Sequence, residues 1–205
     1  NIKNNISVGF NMRNLKIIKF LKEFIKENKK KIYEISFINH SYLPNWRKNI
    51  DYRNSSSAKK KYAGGVILDC SHEIDLAKWT LGEIDLFYVS KSKNSKLKID
   101  TEDNCKIYGK HKRIKIFIDL NYYSIQKYRK INVFGENFQM CVDLIAANVL
   151  IYKNRKIFKK KFDVNDLNNS YYLELKYFFT NKKNFLTNYN SALSTQKFIQ
   201  QIIDF

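Results

Sequence analysis

The sequence predicts an α+β fold, an open and mostly antiparallel sheet with helices packed on one face. Between residues 84 and 162, runs of alternating apolar and polar residues follow one another, separated by turn residues and without helical segments. Consecutive strands without intervening helices are typical of an antiparallel sheet. Helical periodicity occurs before and after this block, and one Pro and six Gly leave little material for linkers.

The first third of the chain has the patterns of a strand, a helix, a strand and a long loop. Residues 6–11 form a short β-type run, and residues 31–38 alternate apolar and polar. Between them lie apolar residues at helical spacing: Leu15, Ile18, Leu21, Phe24 and Ile25. Residues 40–65 are irregular and include the Pro, a Ser run and a Gly pair. Loops of this length inside compact domains tend to be functional.

The remaining elements follow from the same two periodicities. We predict a helix from about Ser71 to Leu81, ending at Gly82. Two helices close the chain, one beginning near Asp166 with an Asn or Ser as N-cap, and one beginning near Ser191. The predicted strand segments are residues 84–91, 104–110, 113–123, 127–136, 138–144 and 148–162.

The net charge of +19 and the pI of about 9.7 raise the question of a nucleic-acid partner. The excess is mostly Lys, accompanied by heavy use of Asn and Ile, and its short runs are dispersed along the chain. Such runs are more often solvated surface than a nucleic-acid groove. We therefore expect no nucleic-acid partner.

Cysteine usage and hydropathy indicate where the protein works. Cys70, Cys105 and Cys141 are far apart and odd in number, and the histidines are equally scattered, so neither a disulfide framework nor a zinc site is expected. No apolar run approaches the ~18 residues of a membrane span, and the first residues lack a secretion-signal pattern. We expect a cytoplasmic protein with reduced thiols and no membrane association.

The segment GGVILDCSHEIDLAKWTLGEI, residues 64–84, carries the candidate chemistry. On a helix, His72, Asp75 and Trp79 share one face, and Asp69 precedes His72 by about one turn. A carboxylate beside an imidazole raises its pKa and orients it, as a general acid or base requires. The alternative is an ordinary helix start, in which the acidic residues favour the positive N-terminus and His72 is a buried histidine.

Five segments in sequence resemble the Gfo/Idh/MocA family of oxidoreductases. GGVILDCSHEIDLAKWTLGEI is similar to the family's Gly-Gly segment followed by an Asp and a His-Glu-Ile-Asp-like helix. The others resemble its Val-Gly-Tyr-Asn-x-Arg element, its Tyr-Leu-Pro-Asp-Trp loop, its Arg-x-Ile-x-Val-x-Gly-Glu hairpin and its Tyr-x-x-Glu-Leu-x-x-Phe helix. The matching segments here are VGFNMR, SYLPNWRKNIDYRNSSSAKK, RKINVFGENFQMCVDL and SYYLELKYFF.

The resemblance implies an α+β domain of the Gfo/Idh/MocA C-terminal type, with most of the N-terminal Rossmann domain absent. Residues 1–13 would be a remnant of the last Rossmann strand, and residues 14–205 the substrate-binding and oligomerisation domain. The sequence has neither a GxGxxG loop after a strand nor the Glu-Lys-Pro element that supplies the family's active-site Lys. Without their former neighbours, residues up to about Asn14 are expected to be disordered or re-paired.

Site residues are implied by the same resemblance. His72 matches the family's active-site His, the acid or base at the substrate hydroxyl. Asp69 matches the acidic residue before it, although many members have Asp-x-x-x-His where this chain has DCSH, so Asp75 is a second candidate orienter. The positions matching the substrate cleft and substrate loop are Asn11, Arg13, Trp46, Asp51, Tyr52 and Arg53.

Each of these residues also has a purely structural interpretation. Trp46 is more often a loop anchor than a sugar platform, Arg13 and Arg53 can simply pair with Asp75 or Asp51, and the Gly pair can permit close backbone approach.

The implied function is the substrate-binding and oligomerisation part of a nicotinamide-dependent dehydrogenase acting on a sugar, polyol or nucleotide-sugar. The parent enzyme would use NAD or NADP, none would bind this chain alone, and the chain alone would be inactive. Expected partners are a sugar or nucleotide-sugar substrate, a second copy of the chain through the sheet, and a separate Rossmann-domain chain. The alternative is a non-enzymatic binding module or remnant whose basic surface binds anionic polymers.

Overall fold

The fold is an eight-stranded mixed sheet with helices on one face, as the sequence predicts. The computed structural model describes residues 6–180, 182 and 186–205. The helices are α1 (Lys16–Asn28), α2 (Val66–Asp69), α3 (Ser71–Leu81), α4 (Asp166–Phe179) and α5 (Tyr189–Asp204). The strands are β1 (Ser7–Val8), β2 (Ile32–Tyr42), β3 (Asp85–Ser92), β4 (Asn104–His111), β5 (Ile114–Asn121), β6 (Tyr123–Gly135), β7 (Phe138–Asp143), β8 (Asn148–Lys153), β9 (Lys156–Lys161) and β10 (Thr187–Asn188).

The large sheet has the order β3-β4-β5-β2-β6-β7-β8-β9. Its strands pair antiparallel except β2 and β5, which run parallel with Glu34 opposite Lys115 and His40 opposite Asn121. The central strand β2 therefore connects the two antiparallel halves of the sheet. The last predicted strand segment is a hairpin, because Asn154 and Arg155 adopt positive φ and separate β8 from β9.

The core lies between the sheet and the helices. Side chains alternate along a strand, so residues such as Ile35 and Phe37 on β2 and Ile116, Ile118 and Leu120 on β5 face the helices and are buried. Helix α3 contacts β2, β5 and α5. The opposite sheet face carries exposed aromatic side chains, among them Tyr88 and Tyr108. Among the described helices, none is long and apolar enough to cross a membrane.

The N-terminal segment differs from the predicted strand of residues 6–11. Only Ser7 and Val8 are in a strand, which pairs antiparallel with Thr187 and Asn188 of β10. Residues Asn11–Asn14 instead form a buried turn of 3-10 helix. Of the two expected outcomes, disorder or pairing with a new strand, Ser7 and Val8 therefore show the second. Residues 1–5, the start of the predicted Rossmann remnant, lie outside the described residues.

Gly64 is required by close packing, as the sequence interpretation of the Gly pair proposes. A Cβ atom at Gly64 would lie 2.2 Å from the carbonyl oxygen of Ser56 and 2.7 Å from that of Ser57. Both are backbone atoms, so the loop before α2 would have to move to accept any side chain.

We predict that Gly64→Ala lowers the free energy of unfolding by about 1–3 kcal/mol, the usual cost of forcing extra atoms into a packed site. Urea unfolding followed by circular dichroism measures this change. Gly9→Ala is the matched control, because the nearest atom to its Cβ would be Glu174 Oε2 at 3.4 Å. Equal stability of the two variants would contradict the packing argument.

Candidate functional site

The candidate site forms around the N-terminal end of α3. Helix α2 is a single turn that ends at Cys70, whose φ of −99° and ψ of 25° interrupt the helix before α3 begins. The break places Asp69 and His72 on separate helices. Gly65, at a φ of +117°, precedes α2, and Ile67 N–H donates a 3.1 Å hydrogen bond to the Glu102 carboxylate.

The N-terminal segment lies along the predicted α3 face. The Phe10 ring meets the His72 ring edge-on, with 6.0 Å between centroids. Arg13 binds Asp75, and its guanidinium lies 5.7 Å from the centroid of the Trp79 ring. The predicted stripe of His72, Asp75 and Trp79 therefore exists, and Phe10 and Arg13 pack against it.

His72 is half-buried, and its setting differs from the one expected. Burial lowers the pKa of His72, and the charge of Arg129 acts in the same direction, while those of Glu73 and Asp75 oppose it. The neighbouring carboxylates do raise this pKa, as expected, but the loss of hydration outweighs their attraction and the net shift is downward. Nδ1 is enclosed without a hydrogen-bond partner among the described residues. Among the described residues, the imidazole is set up as a neutral group.

Asp69 is bound by a residue that sequence reasoning missed. Tyr122 donates a 2.5 Å hydrogen bond from its hydroxyl to Asp69 Oδ2. Burial raises the pKa of the Tyr122 hydroxyl, and the Asp69 charge raises it further, so the proton stays on the tyrosine. The Trp46 ring packs edge-on against the Tyr122 ring at 5.2 Å, and Trp46 Nε1 donates to Ser41 Oγ at 3.0 Å. Trp46, Tyr122 and Asp69 thus form one contact chain leading to the α2–α3 junction.

Asp75 belongs to a buried ion pair. Its oxygens accept hydrogen bonds of 2.8 and 2.5 Å from Arg13 and of 2.9 Å from Thr195 Oγ1. Arg13 also donates to Ser191 Oγ at 2.8 Å. No hydrogen bond joins Asp75 to His72 among the described contacts. The ion-pair interpretation of Arg13 therefore holds, and Asp75 is occupied in joining the N-terminal turn, α3 and α5.

The described contacts of the remaining predicted residues are with residues other than His72. Asn11 is buried and donates to Ser170 Oγ of α4 at 2.9 Å. Asp51 caps the short turn that follows it and pairs with Arg53 at 2.5 Å on the surface. That hydrogen bond, together with the attraction of the guanidinium, lowers the pKa of Asp51. Tyr52 accepts a hydrogen bond from the Lys98 backbone at 3.1 Å. The Arg53–Asp51 pairing is the second structural interpretation that the contacts bear out.

A buried polar network behind His72 was also missed. Glu73, 2% exposed, accepts hydrogen bonds from Arg129 Nε at 2.6 Å and from Asn39 Nδ2 at 3.1 Å. The sequence interpretation placed Glu73 at a solvated helix start. The signal that could have found the network is strand phase, because Arg129 shares the inward phase of Ile131 and Val133.

The helix start at Gly65 does not fit the diphosphate of a dinucleotide. The place where a diphosphate could approach a glycine at a helix start is filled, because a Cβ at Gly65 would lie 2.3 Å from Glu102 Oε1. The Glu102 side chain, whose pKa is raised by burial, therefore occupies the space beside Gly65 that a phosphate would need. In addition, the described residues contain no group of three or more His, Cys, Asp or Glu side chains that could hold a metal ion.

The chain belongs to the GFO/IDH/MocA C-terminal domain family, whose model matches residues 20–140. The recognised resemblance is thereby confirmed. No curated protein matches this chain.

Solved structures of dehydrogenases share the fold. A dehydrogenase from Clostridium difficile is 17% identical with a TM-score of 0.70, and 97% of this chain covers 61% of it. An inositol dehydrogenase homologue from Azotobacter vinelandii, complexed with NAD+, is 10% identical with a TM-score of 0.73, covering 95% and 61%. The WlbA dehydrogenase from Bordetella pertussis, complexed with NADH and UDP-GlcNAcA, is 17% identical with a TM-score of 0.68, covering 94% and 58%. The chain thus spans about 60% of the length of these structures.

We predict that Asp75→Ala lowers the free energy of unfolding by about 3–5 kcal/mol, because it leaves the Arg13 charge buried without a partner. Chemical denaturation measures the loss. Asp51→Ala removes an aspartate from the exposed Arg53 pair and is the matched control, with little change expected. A change of less than about 1 kcal/mol for Asp75→Ala would show that the Arg13–Asp75 ion pair does not stabilise the fold.

We predict that His72 titrates below 6.5, the ordinary histidine value. A lowered folded-state pKa means that the unfolded chain binds the proton first, so stability is complete above pH 6.5 and declines as the pH falls towards the folded pKa. NMR of the imidazole protons gives the pKa, and His72→Gln should remove this contribution to acid destabilisation. A His72 pKa at or above 6.5 would contradict the burial argument.

Proposed function

We propose that this chain is the substrate-binding and oligomerisation part of a nicotinamide-dependent dehydrogenase acting on a sugar, polyol or nucleotide-sugar. The observation that carries the proposal is the setting of His72 in a member of this family. Its imidazole is half-buried against the Phe10 ring, and its pKa is lowered by that burial. An imidazole that is neutral near pH 7 can accept the proton that a substrate hydroxyl loses on oxidation.

Asp69 and Trp46 have defined roles in this proposal. The Asp69 carboxylate, held by Tyr122, positions the α2–α3 junction before His72, and the charges of Glu73 and Asp75 stabilise the imidazolium formed after proton transfer. Trp46 is 39% exposed and anchored through Ser41 and Tyr122, so its free surface can pack against a sugar ring. Arg13 and Asp75 act as positioning residues that fix the face of α3 on which His72 lies.

The nicotinamide is assigned to a different domain, because the residues around Gly65 do not fit it. That domain would be either a preceding part of the same polypeptide or a separate chain. Bound there, NAD or NADP supplies the hydride acceptor.

The exposed face of α4 supports a domain partner. Leu167, Tyr171, Leu175 and Phe178 follow helical spacing, and each is at least 41% exposed. Helix α4 contacts residues Asn11–Asn14 and receives the Asn11 hydrogen bond on Ser170. An unpartnered apolar stripe beside the N-terminal segment is a suitable surface for a preceding dinucleotide-binding domain.

The exposed aromatic residues on the open sheet face are the surface we assign to a second copy of the chain.

We predict that the purified chain does not reduce NAD+ or NADP+ with myo-inositol, D-glucose or UDP-N-acetylglucosamine. We also predict that it binds at least one of these three sugar ligands. In a Trp79→Phe background Trp46 is the sole tryptophan, so its fluorescence should change saturably with ligand. His72→Asn should weaken binding about fivefold through loss of a hydrogen bond. Lys159→Gln, on the distant edge strand β9, should leave the affinity unchanged.

The outcomes separate the parts of the proposal. Turnover by the purified chain would contradict the assignment of the nicotinamide to another domain. Saturable binding that His72→Asn does not weaken would contradict the role of His72. Turnover gained by adding a separately produced dinucleotide-binding domain, and lost with His72→Asn, would support both assignments.

A further inference from the structure

A second feature lies at the opposite end of the sheet from His72. It is a groove of about 700 Å³ between the end of α1 and the turn that joins β4 to β5. Six of the ten described residues that line it are cationic: Lys26, Lys29, Lys30, Lys31, Lys112 and Arg113. Lys and Arg are 38 of 205 residues, so composition alone would place about two among ten. The groove concentrates charge beyond the general basicity of the chain.

The parallel pairing of β2 and β5 produces this concentration. Lys29–Lys31 directly precede β2, while Lys112 and Arg113 directly precede β5. Parallel strands begin at the same edge of a sheet, so two basic segments some 80 positions apart form facing walls. The dispersed Lys runs of the sequence are thus brought together by the topology.

The cations of the groove lack counter-charges. Lys26 lies 3.6 Å from Glu23, but Lys29–Lys31, Lys112 and Arg113 have no ion-pair partner within the described part of the chain. Glu27 is the single carboxylate among the ten lining residues. Like charges held together repel one another, and a bound anion would relieve that repulsion.

His111 adds a buried polar group to the groove. Its side chain lines the groove, the residue is 9% exposed, and its Nδ1 lies 2.7 Å from the Glu83 carbonyl oxygen. With Nδ1 donating to that carbonyl, Nε2 is left enclosed and without a partner among the described residues. Because Nδ1 is the donor, Nε2 of the neutral imidazole is an acceptor, so His111 borders the groove and the donors available to an anion are the Lys and Arg side chains.

We propose that this groove binds a small molecule carrying two or more phosphoryl groups. Its volume lies within the range of small-molecule sites, and Arg and Lys are the side chains that bind phosphate oxygens most strongly. The site is separate from His72. Strand β5 begins at the groove and ends beside Tyr122, and its eight residues span about 26 Å.

Isothermal titration calorimetry of the full chain with inorganic triphosphate, in about 150 mM salt, tests the proposal. We expect saturable one-to-one binding. Lys29→Gln/Lys30→Gln/Lys31→Gln should weaken it at least about tenfold and Arg113→Gln about fivefold, since the two walls hold the same ligand. Lys159→Gln/Lys160→Gln/Lys161→Gln is the matched control: it removes the same charge from exposed β9, four strands from β2. Circular dichroism verifies folding of each variant.

Each result decides the matter. Loss of affinity confined to the groove variants supports the site. Absence of triphosphate binding overturns the proposal. Equal weakening by the control triple variant also overturns it, because it would show that the triphosphate is attracted by the overall charge and not by the groove. A single-stranded oligonucleotide of about 20 nucleotides serves as the competing probe. If it binds in the same salt and triphosphate does not, the basic surface is a nucleic-acid surface and the proposal fails.

Discussion

The buried ion pair between Arg13 and Asp75 is the contact on which the candidate site depends. Removing two charges from water costs several kcal/mol, and this cost is offset only when the remaining donors and acceptors are satisfied. Here Asp75 accepts three hydrogen bonds, one of them from Thr195, and Arg13 also donates to Ser191. These contacts join Asp75 of α3 to Arg13, 62 positions before it, and to Thr195 of α5, 120 positions after it. They thereby fix which face of α3 meets the N-terminal turn.

That orientation decides the environment of each residue near His72. With Asp75 turned towards Arg13, Phe10 lies against the imidazole, while Glu73 points to Arg129 and Asn39 beneath it. Burial removes water from the imidazole, which destabilises its protonated form more than the acidic neighbours stabilise it. The pKa of His72 therefore falls. The same arrangement that completes the core therefore lowers the pKa of His72, the residue to which we assign proton transfer. Stability and proposed chemistry share one set of contacts.

Local periodicity was sufficient to predict most elements, including α3 with its end at Gly82, because strand and helix patterns are local properties. The parallel pairing of β2 with β5 left no local signal, and it brings the Lys29 and Arg113 segments together. The partners of Asp69 and Glu73 were equally hidden, since Tyr122 and Arg129 lie 53 and 56 residues away. Strand phase indicates that Tyr122 points inward, but only the tertiary fold shows which carboxylate it meets.

A crystal structure of the chain soaked with the sugar ligand that it binds would test the central claim most directly. The account predicts a substrate hydroxyl within about 3.2 Å of His72 Nε2, the distance required for proton transfer, with the sugar ring against Trp46. A sugar bound elsewhere on the molecule, with His72 Nε2 covered by protein side chains, would contradict it.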